Sequence, residues 1–150
     1  MKILSSAFEN NQPIPAKYTC DGENIVPPLV FENVPAEAKS LAIIMNDPDS
    51  PSGDFLHWTI WNIFPDIKEI KEGLAPSEAR EGFNDFGEIG YGGPCPGQGS
   101  HRYIFTIYAL DIALEMPAGS KRSELEQELE SHILKIVKLA GRYIKIKNRE

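Results

Sequence analysis

The chain has 150 residues, is 41% hydrophobic and carries a formal net charge of −7. That length supports one domain spanning 1–150 with a core of its own, since a chain of this size buries about 68–70% of its unfolded surface. The acidic balance argues against nucleic acid as a partner, because binding a phosphate backbone needs clustered Lys and Arg. The one basic cluster, Lys135 to Arg149, is interleaved with apolar residues. No run approaches the length of a membrane span, and Met1 to Ser6 lacks an apolar stretch of leader length, so the expected location is the cytoplasm.

Ile3-Leu4 and Leu29 to Phe31 are short candidate strands. Ser40 to Asn46 is an apolar run that ends at a proline-rich turn and reads as a buried strand. Phe55 to Ile63 alternates, with Phe55, His57, Thr59, Trp61 and Ile63 on one face and Leu56, Trp58, Ile60 and Asn62 on the other. Both faces are largely apolar, as in a central strand covered on both sides. Arg102 to Leu110 behaves alike, with Tyr103, Phe105, Ile107 and Ala109 facing one way. The stretches Glu9 to Pro28 and Leu74 to Gly99 show no regular pattern, and long irregular segments of that kind point to function.

The last third changes period. Leu125, Leu129, His132, Ile133, Ile136, Val137 and Ala140 recur at helical spacing, Ser123 and Glu126 fit a capping box, and Gly141 fits a helix stop. His132 on that stripe reads as structural. Tyr143 to Lys147 alternates as a final strand. The expected class is mainly β, a sandwich with a helix docked on it.

Three segments carry candidate chemistry. Asp47-Pro48-Asp49-Ser50-Pro51 holds two acids on a rigid turn, although a solvated turn has the same composition. Residues 92–103 combine four glycines and two prolines with Cys95 and then His101-Arg102-Tyr103, a composition that suits an anion pocket and also an ordinary loop. His101 and Tyr103, two apart on a strand, share a face, and His57 on its strand reads as a core histidine or a ligand contact. Cys20 and Cys95 do not make a disulfide framework. Two free thiols in a reducing cytosol are the favoured reading, beside a single bridge or a weak metal contact.

These segments, with Cys20-Asp21-Gly22, Pro27-Pro28-Leu29, His57-Trp58 and Tyr91 to Pro96, occur in an order that resembles the phosphatidylethanolamine-binding protein family. The likeness is to its short bacterial and archaeal branch, often described as Raf-kinase-inhibitor-like. The resemblance implies an antiparallel β-sandwich of Greek-key type with a C-terminal helical element, and a small anion pocket at one end of the larger sheet. It implies that Asp47 and Asp49 form the acidic turn of the pocket and that His57 lines it. Gly92, Gly93 and Pro94 would be the loop wall, and His101 and Tyr103 would contact the anion. It further implies a cis peptide at Ser50–Pro51. Phe31, Asn46 and Gly97 depart from the usual pattern, and Gly97 should loosen the loop.

Two aspartates beside an anion fit if they orient the imidazoles and fix the proton on the distal nitrogens, or if they receive an ammonium group. Arg102, pointing away from His101, is expected to pair with Asp49 or another acid. The leading function is non-enzymatic binding of a phosphate or phosphoethanolamine-type headgroup, with no cofactor and no resident metal. The alternatives are inhibition of a protein target (a serine protease or kinase), a hydrolase using a His/Asp pair or Cys95, and a metal site at His57, His101, Asp47 and Asp49. A homodimer is a further candidate partner, since small sandwiches often pair.

Overall fold

A computed structural model describes residues 1–145. Two sheets face each other across a core. The smaller contains β1 (Lys2–Leu4), β3 (Leu29–Glu32) and β6 (Glu69–Ile70), in the order β1-β3-β6. The larger contains β2 (Gln12–Pro13), β4 (Ser40–Asp47), β5 (Phe55–Ile63), β7 (Arg80–Glu81), β8 (Ser100–Leu110) and β9 (Ile133–Ile144). Its order is β2-β9-β8-β4-β5-β7, antiparallel apart from the short parallel β2–β9 pair. The chain leaves β5, adds strands to both sheets and returns at β8 beside β4, a Greek-key crossover. The mainly β sandwich expected from the sequence is the fold observed.

The alternation read along the strands divides two packing layers, except in β5, where irregular pairing places Leu56 and Ile63 on the sides opposite to those read. Leu41, Ile43, Met45, Trp58, Ile60, Tyr103, Phe105 and Ile107 join Ile3, Leu29 and Phe31 of the small sheet in the inter-sheet core. Ala42, Ile44, Trp61 and Leu110 turn to the other side of the large sheet, where Leu125 and Leu129 of the helix α1 (Arg122–Leu129) cover them. Trp58 and Trp61 are both fully buried, one in each layer. The irregular stretches contain little beyond β2, a 3-10 turn at Ala16–Tyr18 and β7.

The C-terminal reading needs correction. The helix ends at Leu129, and Ile133, Ile136, Val137 and Ala140 lie in β9, paired with β8 from Leu110↔Ile133 to Ser100↔Ile144. Apolar residues at i, i+3 and i+4 do not separate a helix from a strand when the residues are β-branched and a long partner strand is available. Gly141 accordingly sits inside β9 opposite Tyr103 rather than ending a helix. The helix start is displaced as well: the Glu124 carboxylate accepts from the Lys121 backbone N–H at 2.9 Å, while Glu126 pairs with Arg122. His132 follows the helix, half-buried, with Nδ1 2.8 Å from Asp111. The final strand runs through Tyr143 and Ile144, and Ile146 and Lys147 lie outside the described residues.

Cys20 and Cys95 form a disulfide across a separation of 75 residues, with Cα atoms 5.4 Å apart. This overturns the free-thiol reading and with it the argument for a reducing cytosol. The two long loops are already sewn together beside the bond. Cys20 N donates to Pro94 O at 3.1 Å, Gly93 N to Asn24 Oδ1 at 2.8 Å, and Tyr91 Oη to Tyr18 O at 2.8 Å. In the chain-entropy account a loop of this length contributes about 4 kcal/mol. Reduced protein, or a C20A/C95A double variant, should therefore unfold at markedly lower denaturant, and an unchanged midpoint would contradict the contribution assigned to the bond.

Candidate functional site

A cavity of about 180 Å³ opens where β4, β5 and β8 end together. It is lined by Asp47, the turn residues Ser50, Pro51 and Ser52, Phe55 and His57, Phe86, the loop Cys95-Pro96-Gly97, and His101. A larger groove of about 840 Å³ lies along β1 and β9, with Ile3, Phe8, Val137 and Leu139 among its walls. No histidine or cysteine lines that groove, so the smaller cavity is the candidate site.

Strand irregularity brings His57 to it. Met45 pairs with Trp58 and Asn46 with Leu56, so His57 is an extra residue opposite its partner strand. A β-bulge of this kind sets two successive side chains on one side of the strand. His57 thus joins the face of Trp58 rather than opposing it, and its ring meets Tyr103 edge-on with centroids 5.2 Å apart. Phe55 and Phe86 enclose it further, at 5.0 and 5.3 Å. His57 is 3% exposed, and this burial holds its pKa below the ordinary imidazole value.

Asp47 and Asp49 do not act as a pair. Asp47, 3% exposed, accepts the Asp49 backbone N–H on Oδ1 at 2.8 Å and faces His101 Nδ1 with Oδ2 at 2.7 Å. Asp49 turns the other way, toward Arg102, which points opposite to its neighbour His101 along β8. Its carboxylate takes the Arg102 backbone N–H at 2.9 Å and the Arg102 Nε and Nη2 donors at 2.9 and 2.8 Å. These bonds pull its pKa down to about 2. The expected Arg102–Asp49 pairing is present, and Asp49 is not part of the cavity lining.

Both imidazoles are tied by Nδ1. His57 Nδ1 lies 2.7 Å from Gly92 O, a carbonyl that can only accept, and His101 Nδ1 lies against the Asp47 carboxylate. Each Nδ1 is therefore a donor. This corrects the expectation of protons on the distal nitrogens: in the neutral rings the proton sits on Nδ1 and Nε2 carries a lone pair. Neither Nε2 has a hydrogen-bond partner among the described residues.

The loop wall is also displaced from its expected position. Gly92 holds His57 from behind, its N–H donating to His57 O at 3.0 Å. A Cβ on Gly92 would run into the Phe86 ring, and one on Gly93 into Tyr18 O and Asn24 Oδ1. These glycines let backbone approach other protein rather than a ligand, and Pro94 is occupied with Cys20. The cavity wall is the next triplet, Cys95 to Gly97.

Tyr103 is fully buried beneath the cavity and does not line it. Its ring stacks on His101 at 6.4 Å. Its hydroxyl lies near the Cys95 backbone and Asp47 but meets neither in hydrogen-bond geometry. Burial and the Asp47 charge push its pKa up. Sequence reasoning missed Phe86 altogether, since nothing in the pattern links that loop to β5. Ser50 and Ser52 were legible only as members of the turn; their hydroxyls lie 3.2 Å apart at the cavity edge.

The other chemical readings meet specific obstacles. As half of a disulfide, Cys95 has no thiol to offer as a nucleophile. The four residues suggested for a metal do not assemble, Asp49 being held by Arg102. Among the described residues no group of three or more His, Cys, Asp or Glu side chains is placed to hold a metal ion. The Ser50–Pro51 peptide is trans, against the cis form expected; no cis peptide occurs among the described residues. No helix among the described residues is long and apolar enough to cross a membrane.

Two expectations follow from the site's charges. The Arg102–Asp49 pair is partly exposed and screened by solvent, so R102L should lower the denaturant midpoint only slightly near neutral pH. Because the Asp49 pKa is depressed, that difference should persist above pH ~4 and vanish as pH falls toward 2. For His57 the folded pKa is also depressed, so the unfolded chain binds the extra proton first. Stability should therefore be fullest above pH ~6.5 and erode below it. The urea midpoint should drop between pH 7 and 5, and less so in H57Q.

The phosphatidylethanolamine-binding protein family model matches residues 4–144. A UPF0098 protein of Methanothermobacter thermautotrophicus is 46% identical over 148 residues, covering 95% of this chain and 98% of the relative. One from Pyrococcus horikoshii is 48% identical over 149 residues, covering 93% and 75%. A crystal structure from Chlamydia trachomatis, described as a phosphatidylethanolamine-binding protein homologue, superposes with a TM-score of 0.91 at 42% identity, covering 95% of this chain and 96% of that one. Escherichia coli YbcL, described as a new member of the mammalian family, gives 0.88 at 27% identity, covering 96% and 98%. This chain belongs to the phosphatidylethanolamine-binding protein family.

Proposed function

We propose that the chain is a non-enzymatic binder of a small phosphorylated or anionic ligand, held in the cavity between His57 and His101. One observation carries this reading. Two buried imidazoles, each fixed through Nδ1, bring otherwise unpartnered Nε2 atoms to a cavity of about 180 Å³. Sites for whole drug-sized molecules occupy roughly 300–1,000 Å³. This one suits a single oxyanion group with a few waters, so a phospholipid would present only its headgroup. Phe55, Phe86 and Pro96 supply an apolar surround that strengthens each polar contact.

The disulfide and its flanking hydrogen bonds hold the Cys95 wall in place, so the cavity is largely formed before anything binds, which lowers the ordering cost.

The reading is tested by thermal shift with inorganic phosphate or phosphoethanolamine. For a millimolar dissociation constant, 10 mM ligand should raise Tm by about 3–5 °C. H101A should abolish the shift. Y103F should keep it and leave stability nearly unchanged, because that hydroxyl has no partner and does not reach the cavity. No stabilisation of the wild type by either ligand would overturn the proposal.

A further inference from the structure

The polar atoms of the cavity raise a difficulty for an anion. Asp47 contributes a carboxylate, which accepts only. His57 and His101 each spend their one neutral-state proton on Nδ1, toward Gly92 O and Asp47 Oδ2, and so offer lone pairs at Nε2. Asp49 and Arg102 are locked to each other outside the lining, so the Arg102 guanidinium does not reach in. The Tyr103 hydroxyl is buried below. From the neighbouring loop, Asp85 is occupied by the Leu56 backbone N–H at 2.7 Å. Among the described residues, the lining side chains left with a proton to donate are Ser50 and Ser52. With neutral imidazoles the lining side chains among the described residues offer more acceptors than donors.

We infer that the site selects oxyanions that bring their own proton, such as hydrogen phosphate or a hydrogen phosphonate, over anions of equal charge that lack one, such as sulfate. The inference rests on the anion-binding reading and names its ligand chemistry. A protonated oxyanion places its O–H against an imidazole Nε2 and its bare oxygens against the Ser50 and Ser52 hydroxyls. Sulfate would set lone pair against lone pair at both histidines. An unmatched polar contact of this kind costs about tenfold to a hundredfold in affinity. Once the imidazoles charge, both Nε2 atoms become donors and the distinction fades. Burial delays that for His57.

The test is calorimetric titration of the oxidised protein with inorganic phosphate, sulfate and ethanolamine, at pH 8.5 and at pH 5.5. The higher pH lies above the range where imidazoles ordinarily charge, and there phosphate retains one proton while sulfate has none. The expected result is phosphate at least tenfold tighter than sulfate at pH 8.5, a smaller ratio at pH 5.5, and negligible ethanolamine binding. D47N frees His101 to carry its proton on Nε2, so it should raise sulfate affinity at pH 8.5 and narrow the ratio. Should that variant not fold, the comparison of the two pH values in wild type decides the matter. Equal affinity for sulfate and phosphate at pH 8.5 would overturn the inference and leave anion binding standing. Ethanolamine binding as tightly as phosphate would overturn it by showing that the acceptors serve an ammonium. No binding of either anion at either pH would overturn the anion-binding reading itself.

Discussion

The Asp47 carboxylate is the hinge on which the candidate site turns. It is almost fully buried, and a buried charge of this kind persists only when its lone pairs are occupied. One oxygen stitches the turn to itself through the Asp49 N–H, and the other holds His101 Nδ1. The first bond sends Asp49 outward to Arg102. The second fixes which nitrogen of His101 carries a proton and which faces the cavity. The shape of the turn and the chemistry of the site are thus set by the two ends of one carboxylate.

A second constraint acts from the opposite wall. The bulge at His57 would place an imidazole in an apolar layer without a partner, were it not for Gly92 O at 2.7 Å. That carbonyl is positioned because the Tyr91-to-Cys95 segment is bound to the Tyr18-to-Asn24 loop by three hydrogen bonds and the disulfide. The irregular loops are therefore a scaffold for one histidine, and the cavity is what remains between that scaffold and the strand ends. The stability contributed by the Cys20–Cys95 bond and the orientation of His57 are linked through the same few residues.

Much of this was legible in the sequence, and the failures have physical causes. The faces of β8 were readable because Tyr103, Phe105, Ile107 and Ala109 keep a strict period of two, and Arg102 was correctly separated from His101 by the same period. The side of the strand that His57 occupies was not readable, because a bulge shifts the period by one without leaving a mark in composition. Ile133, Ile136 and Val137 satisfied a helical spacing while their β-branching favoured a strand, and the pairing with β8 decided between them. Gly92 and Gly93 announced a close approach, but not whether the approaching group would be a ligand or the Phe86 ring and Tyr18 carbonyl. The pairing of Cys20 with Cys95 depended on the fold of two long loops that carry no periodic signal.

The central claim is that both imidazoles are anchored through Nδ1, which leaves Nε2 to face the ligand. Long-range nitrogen–proton correlation spectra of the imidazole rings report the tautomer directly. With the protein oxidised and ligand-free at pH 8.5, the account predicts that His57 and His101 both carry their proton on Nδ1, with an unprotonated Nε2. A spectrum showing the Nε2–H tautomer for either ring would contradict it.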